Sequence, residues 1–190
     1  MPGLPAVAYG MMGLTFGLFT WGLANVGIDA KSETLMKELA IVGSLPAAMT
    51  LLFQASWTVI GAPLGTTGAA AAVQLLFTVT PLMYALLWWI FVFAPWYGLD
   101  LKLAGDMSFI IGIYQLIFMV IYAYDVGWVL TAGDIVMEIT LFTYALVVFL
   151  IWGLTHGKNG PKILGAVQIW SGIMTVWLML FPGGVLPMWP

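Results

Sequence analysis

The chain has 190 residues, of which 63% are hydrophobic and 7% charged, whereas a soluble domain carries about 25% charged residues to hydrate its surface. Five lysines and eight carboxylates cannot do that for a globule of this size, so a soluble domain is excluded and lipid must solvate most of the surface. The net charge of −3 comes with no arginine and no basic run, which excludes nucleic acid as a partner, and the lack of cysteine removes disulfides and thiolate chemistry.

The chain divides into apolar runs separated by breaks rich in glycine, proline and charge, each run near the roughly 20 residues that cross a hydrocarbon core. The first extends from Pro5 to about Val26 and ends at GIDAKSE; no basic stretch precedes it, so it reads as a span and not as a cleavable signal. The second extends from about Met36 to Ile60 and ends at GAPLGTTG, and the third from Ala69 to Ala94, ending at PWYGLDLK. The fourth covers about Asp106 to Tyr124, with Asp106 as a helix-start residue. The fifth covers Ile135 to Leu154, followed by THGKNGPK, and the sixth covers Ile163 to Phe181, closed by PGGVLP. No linker or internal repeat interrupts this series. The expectation is an all-α integral membrane protein, a single domain over 1–190 forming a bundle of six transmembrane helices.

All five lysines fall in alternate breaks or beside them: Lys31 and Lys37 between spans one and two, Lys102 between three and four, Lys158 and Lys162 between five and six. The positive-inside rule makes that side cytoplasmic and places both termini on the extracytoplasmic side.

Ionisable groups inside a span are functional candidates. Glu138, about one turn into span five, is the first of these; the competing reading is a carboxylate that reaches the interface. Lys37 and Glu38 read as interfacial anchors. Neutral polar residues recur at helical spacing: Gln168, Ser171 and Thr175 in span six, Thr140, Thr143 and Tyr144 in span five, Gln74, Thr78, Pro81 and Tyr84 in span three, and Gln115 in span four. They are expected to line a pore or cavity, and the alternative is hydrogen-bonded glue between helices at about 0.6 kcal/mol each. Trp57, Trp96, Tyr97, Trp128 and Trp189 near span ends fit an interfacial belt. Trp88, Trp89, Trp152, Trp170 and Trp177 fall within or close to spans and read mainly as packing against lipid, with a few available to narrow a cavity. His156 is the only histidine, no cluster has metal-ligand spacing, and no serine has a plausible base. Neither an enzyme nor a metal or other cofactor is expected.

Six segments resemble the acid-activated urea channel and short-chain amide transporter family: GIDAKSETLMKELAIVG after span one, LLFTVTPLMYAL and YGLDLK around span three, Gly133–Asp134 before span five, LIWGLTHG at its end, and SGIMTVWL in span six. The resemblance implies six helices with both termini outside, a homo-hexamer, and one channel per protomer for urea or a short aliphatic amide. Thr143 and Val147 stand where the urea-channel branch carries tryptophans, and Ser171 where it carries a glutamate; Ser171 and Thr175 match the amide branch. The expected activity is therefore passive permeation of a small neutral polar solute, with no partner but that solute, lipid and further copies of the chain. Glu138 keeps a proton-coupled transporter open, and a non-catalytic subunit of a larger membrane complex is the other alternative. Histidine is the side chain whose ordinary pKa falls at mildly acid pH. With a single histidine placed on the cytoplasmic side, gating by external acid is not expected.

Overall fold

The computed structural model describes residues 5–28, 34–62, 67–125 and 132–180. Lys31, Trp128 and Trp189 lie outside the described residues. Seven α-helices account for nearly all of the rest: α1 (Pro5–Val26), α2 (Leu35–Leu39), α3 (Leu45–Gly61), α4 (Gly68–Tyr97), α5 (Leu101–Asp125), α6 (Ala132–Thr155) and α7 (Pro161–Leu180), with no strand among the described residues. A π-helical turn, Ala40–Ser44, joins α2 to α3, so these two form a single span. Six helical stretches are then long and apolar enough to cross a membrane, which makes the chain a multi-pass membrane protein by its architecture.

Helix boundaries follow local chemistry. Helix α4 ends at Gly98, at φ 62°, and α6 runs out into Gly157, at φ 68°, a left-handed backbone that costs glycine nothing. Beyond each glycine the next amide turns back onto the helix, from Leu99 to the Ala94 carbonyl and from Lys158 to that of Gly153. Helix α5 starts five residues before the expected Asp106, because the Asp100 carboxylate accepts the Lys102 N–H at 2.9 Å and caps the helix there. Asp106 lies in the second turn, where its carboxylate is 3.3 Å from His156 Nε2 at the end of α6. The π turn ends just before Leu45 and Pro46, and across it the Leu45 amide reaches back five residues to the Ala40 carbonyl.

Each span packs antiparallel against the next in sequence, and the sixth returns to the first. On the α1–α3 seam Gly10 faces Gln54, Gly13 faces Thr50 and Gly17 faces Ala47. Thr58 of α3 meets Phe77 of α4, Gly112 of α5 meets Phe149 of α6, and Gly22 of α1 lies against Gly165 and Ile169 of α7. The helices therefore form a closed ring in sequence order, with its main core cluster between α1, α3, α4, α6 and α7 and only Ile111 added by α5. Lys37, Lys102, Lys158 and Lys162 all fall at one end of this ring, where the Lys37 ammonium lies 5.1 Å from the centre of the Trp96 ring.

The outside of the ring is apolar, as lipid requires. Phe16, Phe53, Ile60, Leu103, Ile110, Ile113, Val120, Trp170 and Trp177 are exposed there. Pro81 leaves the Phe77 carbonyl without its helical donor, and the Thr58 hydroxyl lies 3.3 Å from it, sharing its proton with the Ala55 and Gln54 carbonyls of its own helix at 2.9 and 3.0 Å.

Candidate functional site: two chambers inside the helix ring

One face of α4 carries Phe77, Thr80, Pro81, Tyr84, Leu87, Trp88 and Phe91 at three- and four-residue intervals, so the whole stripe points the same way down the helix. Met137, Leu141, Tyr144, Val148 and Ile151 form the matching stripe on α6. Between these faces, closed by α1, α3 and α7, lie two stacked spaces.

The first, toward the N-terminal end of α1, has a cavity volume of about 30 Å³. It is walled by Met11, Leu14, Leu51, Gln54, Leu76, Phe77, Thr80, Pro81, Tyr84, Met137, Leu141, Tyr144 and Leu178. The second, toward the lysine end, has a cavity volume of about 10 Å³ between Leu14, Leu18, Tyr84, Leu87, Trp88, Phe91, Tyr144, Val147, Val148 and Ile151. Leu14, Tyr84 and Tyr144 belong to both walls and divide the chambers, the two phenol rings standing 5.9 Å apart between centroids. Neither wall contains a charged side chain.

The surface bounding each chamber is carbon, with polar atoms just behind it. Those atoms are largely unused. Both amide atoms of Gln54, the Thr80 and Tyr84 hydroxyls and the Trp88 indole nitrogen are buried with no hydrogen-bond partner. A buried polar group left unpaired costs about 1–3 kcal/mol, and native structures contain few of them. Four such residues on the walls of two adjoining chambers, all neutral, are the unusual feature of this fold. The fifth polar wall group, Tyr144, is engaged: its hydroxyl is 2.7 Å from Thr175 Oγ1, with Met11 Sδ at 3.7 Å.

No protein-family model, curated protein or solved structure matches this chain. Its site must be read from its own geometry.

Among the residues expected to line a pore, Tyr84 and Tyr144 belong to the chamber walls. Thr175 reaches the wall through its hydrogen bond to Tyr144, and it also donates to the Ser171 carbonyl at 2.7 Å. The others occupy helix–helix contacts or the ring's flank. The Gln74 amide donates to the Thr58 carbonyl across the α3–α4 seam, and Thr78 donates to the Gln74 carbonyl at 2.8 Å. Gln168 accepts from Asn25 at 2.8 Å, which ties α7 to α1. Thr140 and Thr143 are buried and return their hydroxyls to the carbonyls of Val136 and Thr140 on their own helix. Ser171 and Gln115 are fully buried with unpartnered side chains, and neither is in a chamber wall. Glu138 is half-buried with one carboxylate oxygen unpartnered; its neighbours in sequence Met137 and its next-turn neighbour Leu141 face the first chamber, and Glu138 is not in that wall. Tyr122 donates to Asp134 at 2.6 Å, one turn before Glu138 on α6.

Gln54 and Thr80 were not among the expected lining residues. The signal for Gln54 is in the sequence: a glutamine inside an apolar span, at four-residue spacing from Thr50 and Thr58. Thr80 and Trp88 share the helical stripe that runs through Tyr84.

Proposed function

We propose that this protein is a passive channel or facilitator for a small neutral polar solute, urea or a short-chain aliphatic amide, with one path through the helix ring of each protomer. The observation that carries this reading is the pair of stacked chambers on the ring axis, walled by unpartnered neutral polar groups and free of charge. A solute crossing apolar surroundings must exchange its hydrogen bonds to water for bonds to the wall. Gln54, Thr80, Tyr84 and Trp88 have donors and acceptors free to make them, just behind the carbon surface of the chambers. Carbon walls on all other sides and the absence of ionised groups make the same route costly for an ion.

The resemblance to the urea channel and amide transporter family accords with this reading, and with it come a homo-hexamer in the plasma membrane and both termini outside. The shared end of Lys37, Lys102, Lys158 and Lys162 supports the orientation through the positive-inside rule. The chain contains no cysteine, so single cysteines report it cleanly. A cysteine placed at Thr67 should react with an impermeant maleimide added to intact cells, and one placed at Lys158 should not. Labelling at 158 under those conditions reverses the topology.

The coupled-carrier alternative rests on Glu138, whose unpartnered oxygen is its best support; the absence of any carboxylate from the chamber walls weighs against it. Swelling of proteoliposomes separates the two. Acetamide, formamide and urea should enter faster than in empty liposomes, glycerol more slowly than any of them. No proton movement should accompany entry, and Glu138→Gln should leave the rates within about twofold, a difference of roughly 0.4 kcal/mol in barrier. Equal swelling with and without protein for every solute would remove the channel reading.

A further inference from the structure

The first chamber contains one side chain whose chemistry matches a particular solute geometry. Gln54 lies in its wall with no exposure to solvent, and neither its amide nitrogen nor its amide oxygen has a hydrogen-bond partner. Opposite it α1 presents Gly10, where a Cβ would lie within 1.9 Å of the Gln54 oxygen and 2.9 Å of its side-chain carbons, so the carboxamide occupies space that only a glycine leaves open. The rest of the wall around it is aliphatic or aromatic, with Leu51, Leu76 and Leu178 among its residues. The last torsion of a glutamine has a broad, shallow profile, so no torsional barrier holds the amide plane in its orientation against Gly10.

A carboxamide edge carries one donor and one acceptor side by side. We propose that Gln54 is the specificity-determining residue of this path, and that it pairs head to tail with the solute: its N–H donates to the solute carbonyl while its carbonyl accepts the solute N–H. This inference rests on the ring interior being a solute path and adds the geometry that the solute must have. The solute needs an N–H on the same side of its C–N bond as its carbonyl oxygen. Primary amides and urea have one by construction. A secondary amide in the ordinary trans form has its N–H on the opposite side, and the amide bond resists rotation to cis. A small lactam is a secondary amide locked cis, so it regains the pairing edge.

Two solutes of nearly equal size therefore divide on geometry alone: N-methylacetamide, which is trans, and 2-azetidinone, which is cis. Entry of both, with acetamide as reference, is measured in proteoliposomes containing the wild-type protein, Gln54→Met and Gln54→Leu. Methionine keeps the unbranched length of glutamine without its polar edge, and retained folding of each variant is read from its tryptophan fluorescence. The wild type should admit 2-azetidinone at least about tenfold faster than N-methylacetamide, the factor set by one net hydrogen bond. In the variants that ratio should fall to the value seen for unassisted permeation through lipid. A wild-type ratio equal to that of bare lipid, with acetamide still carried, overturns the pairing and leaves the channel standing. A high ratio that survives in either folded variant overturns the assignment to Gln54. No assisted entry of acetamide into wild-type liposomes overturns the channel reading, and this inference with it.

Discussion

Leu14→Trp is expected to reduce solute entry by at least about tenfold, the consequence of roughly 1.4 kcal/mol added to the barrier, while the protein remains folded. Leu14 is the α1 residue at the division between the chambers, in contact with both spaces and 3% exposed. Across from it stand Tyr84 and Tyr144, and a solute travelling along the ring axis must pass between the three side chains. An indole at this position needs more room than an isobutyl group, and the cavities on either side, of about 30 and 10 Å³, take up only part of it. Overpacking a core commonly costs about 1–3 kcal/mol, and the variant is expected to lose stability within that range. The experiment pairs swelling in acetamide with thermal unfolding in detergent. Leu86→Trp is the control, because Leu86 is exposed on the outer face of α4 and should tolerate the indole without any change in entry. If the Leu14 variant is folded and conducts as the wild type does, the path does not run through the ring.

The second large effect concerns how the ring closes. Gly165 of α7 lies against α1, and a Cβ there would come within 2.7 Å of the Gly22 carbonyl oxygen and 2.9 Å of both the Asn25 Cβ and the Val26 Cγ1. The carbonyl is backbone and cannot turn aside, so α1 and α7 would have to separate. Small residues allow this close approach, and in lipid, where both helices are equally at home apart, close packing supplies much of the association. Gly165→Ala should therefore destabilise the fold by about 1–3 kcal/mol. For a chain of this size that is several degrees of unfolding midpoint, at about 2–4 °C per kcal/mol. The change would also stretch the Asn25–Gln168 hydrogen bond of 2.8 Å beside it. Gly160→Ala, where an added Cβ meets nothing within 4 Å, should leave the midpoint where it is. Equal losses from the two substitutions would mean that the α1–α7 contact is not tight.

Several features of the protein follow from local chemistry and are legible in the chain alone. The apolar runs fall within a few residues of the six helical stretches, since span length is dictated by the thickness of hydrocarbon and each break is written in glycine, proline or charge. The largest boundary difference occurs at the start of α5, followed by the end of α4, which continues to Tyr97, and the start of α6 at Ala132. A sequence reading of Asp106 as the helix start treats the membrane edge and the helix start as the same place. In the structure the capping function belongs to Asp100, and the helix emerges about a turn beyond the apolar run. The collection of lysines at one end is also a sequence property, because antiparallel succession of spans turns alternate breaks to the same side.

Which polar residues face the interior was settled by the tertiary structure, and the reason is rotational. A polar stripe identifies a helix face without saying what that face meets, and in a ring every helix has two neighbours besides the axis. The stripe of α7 turns Gln168 toward α1 and Thr175 toward Tyr144. In α4 Gln74 turns toward α3, while Tyr84 of the adjacent stripe faces the chambers. Lining and glue are thus the same residue types at the same spacing, separated by a rotation of a helix about its own axis that no periodicity records. Gln54 makes the same point. Its span carries a polar stripe, Thr50, Gln54 and Thr58 at four-residue intervals, but its position in the wall depends on Gly10 of another helix, a pairing created only when α1 and α3 close together. A lipid-solvated chain of six crossings with its lysines at one end is written in the residues alone; the closure of α7 onto α1, the two chambers and the unpaired Gln54 amide in the wall of the first exist only in the packed ring, because each depends on the relative rotation and distance of helices far apart in the chain.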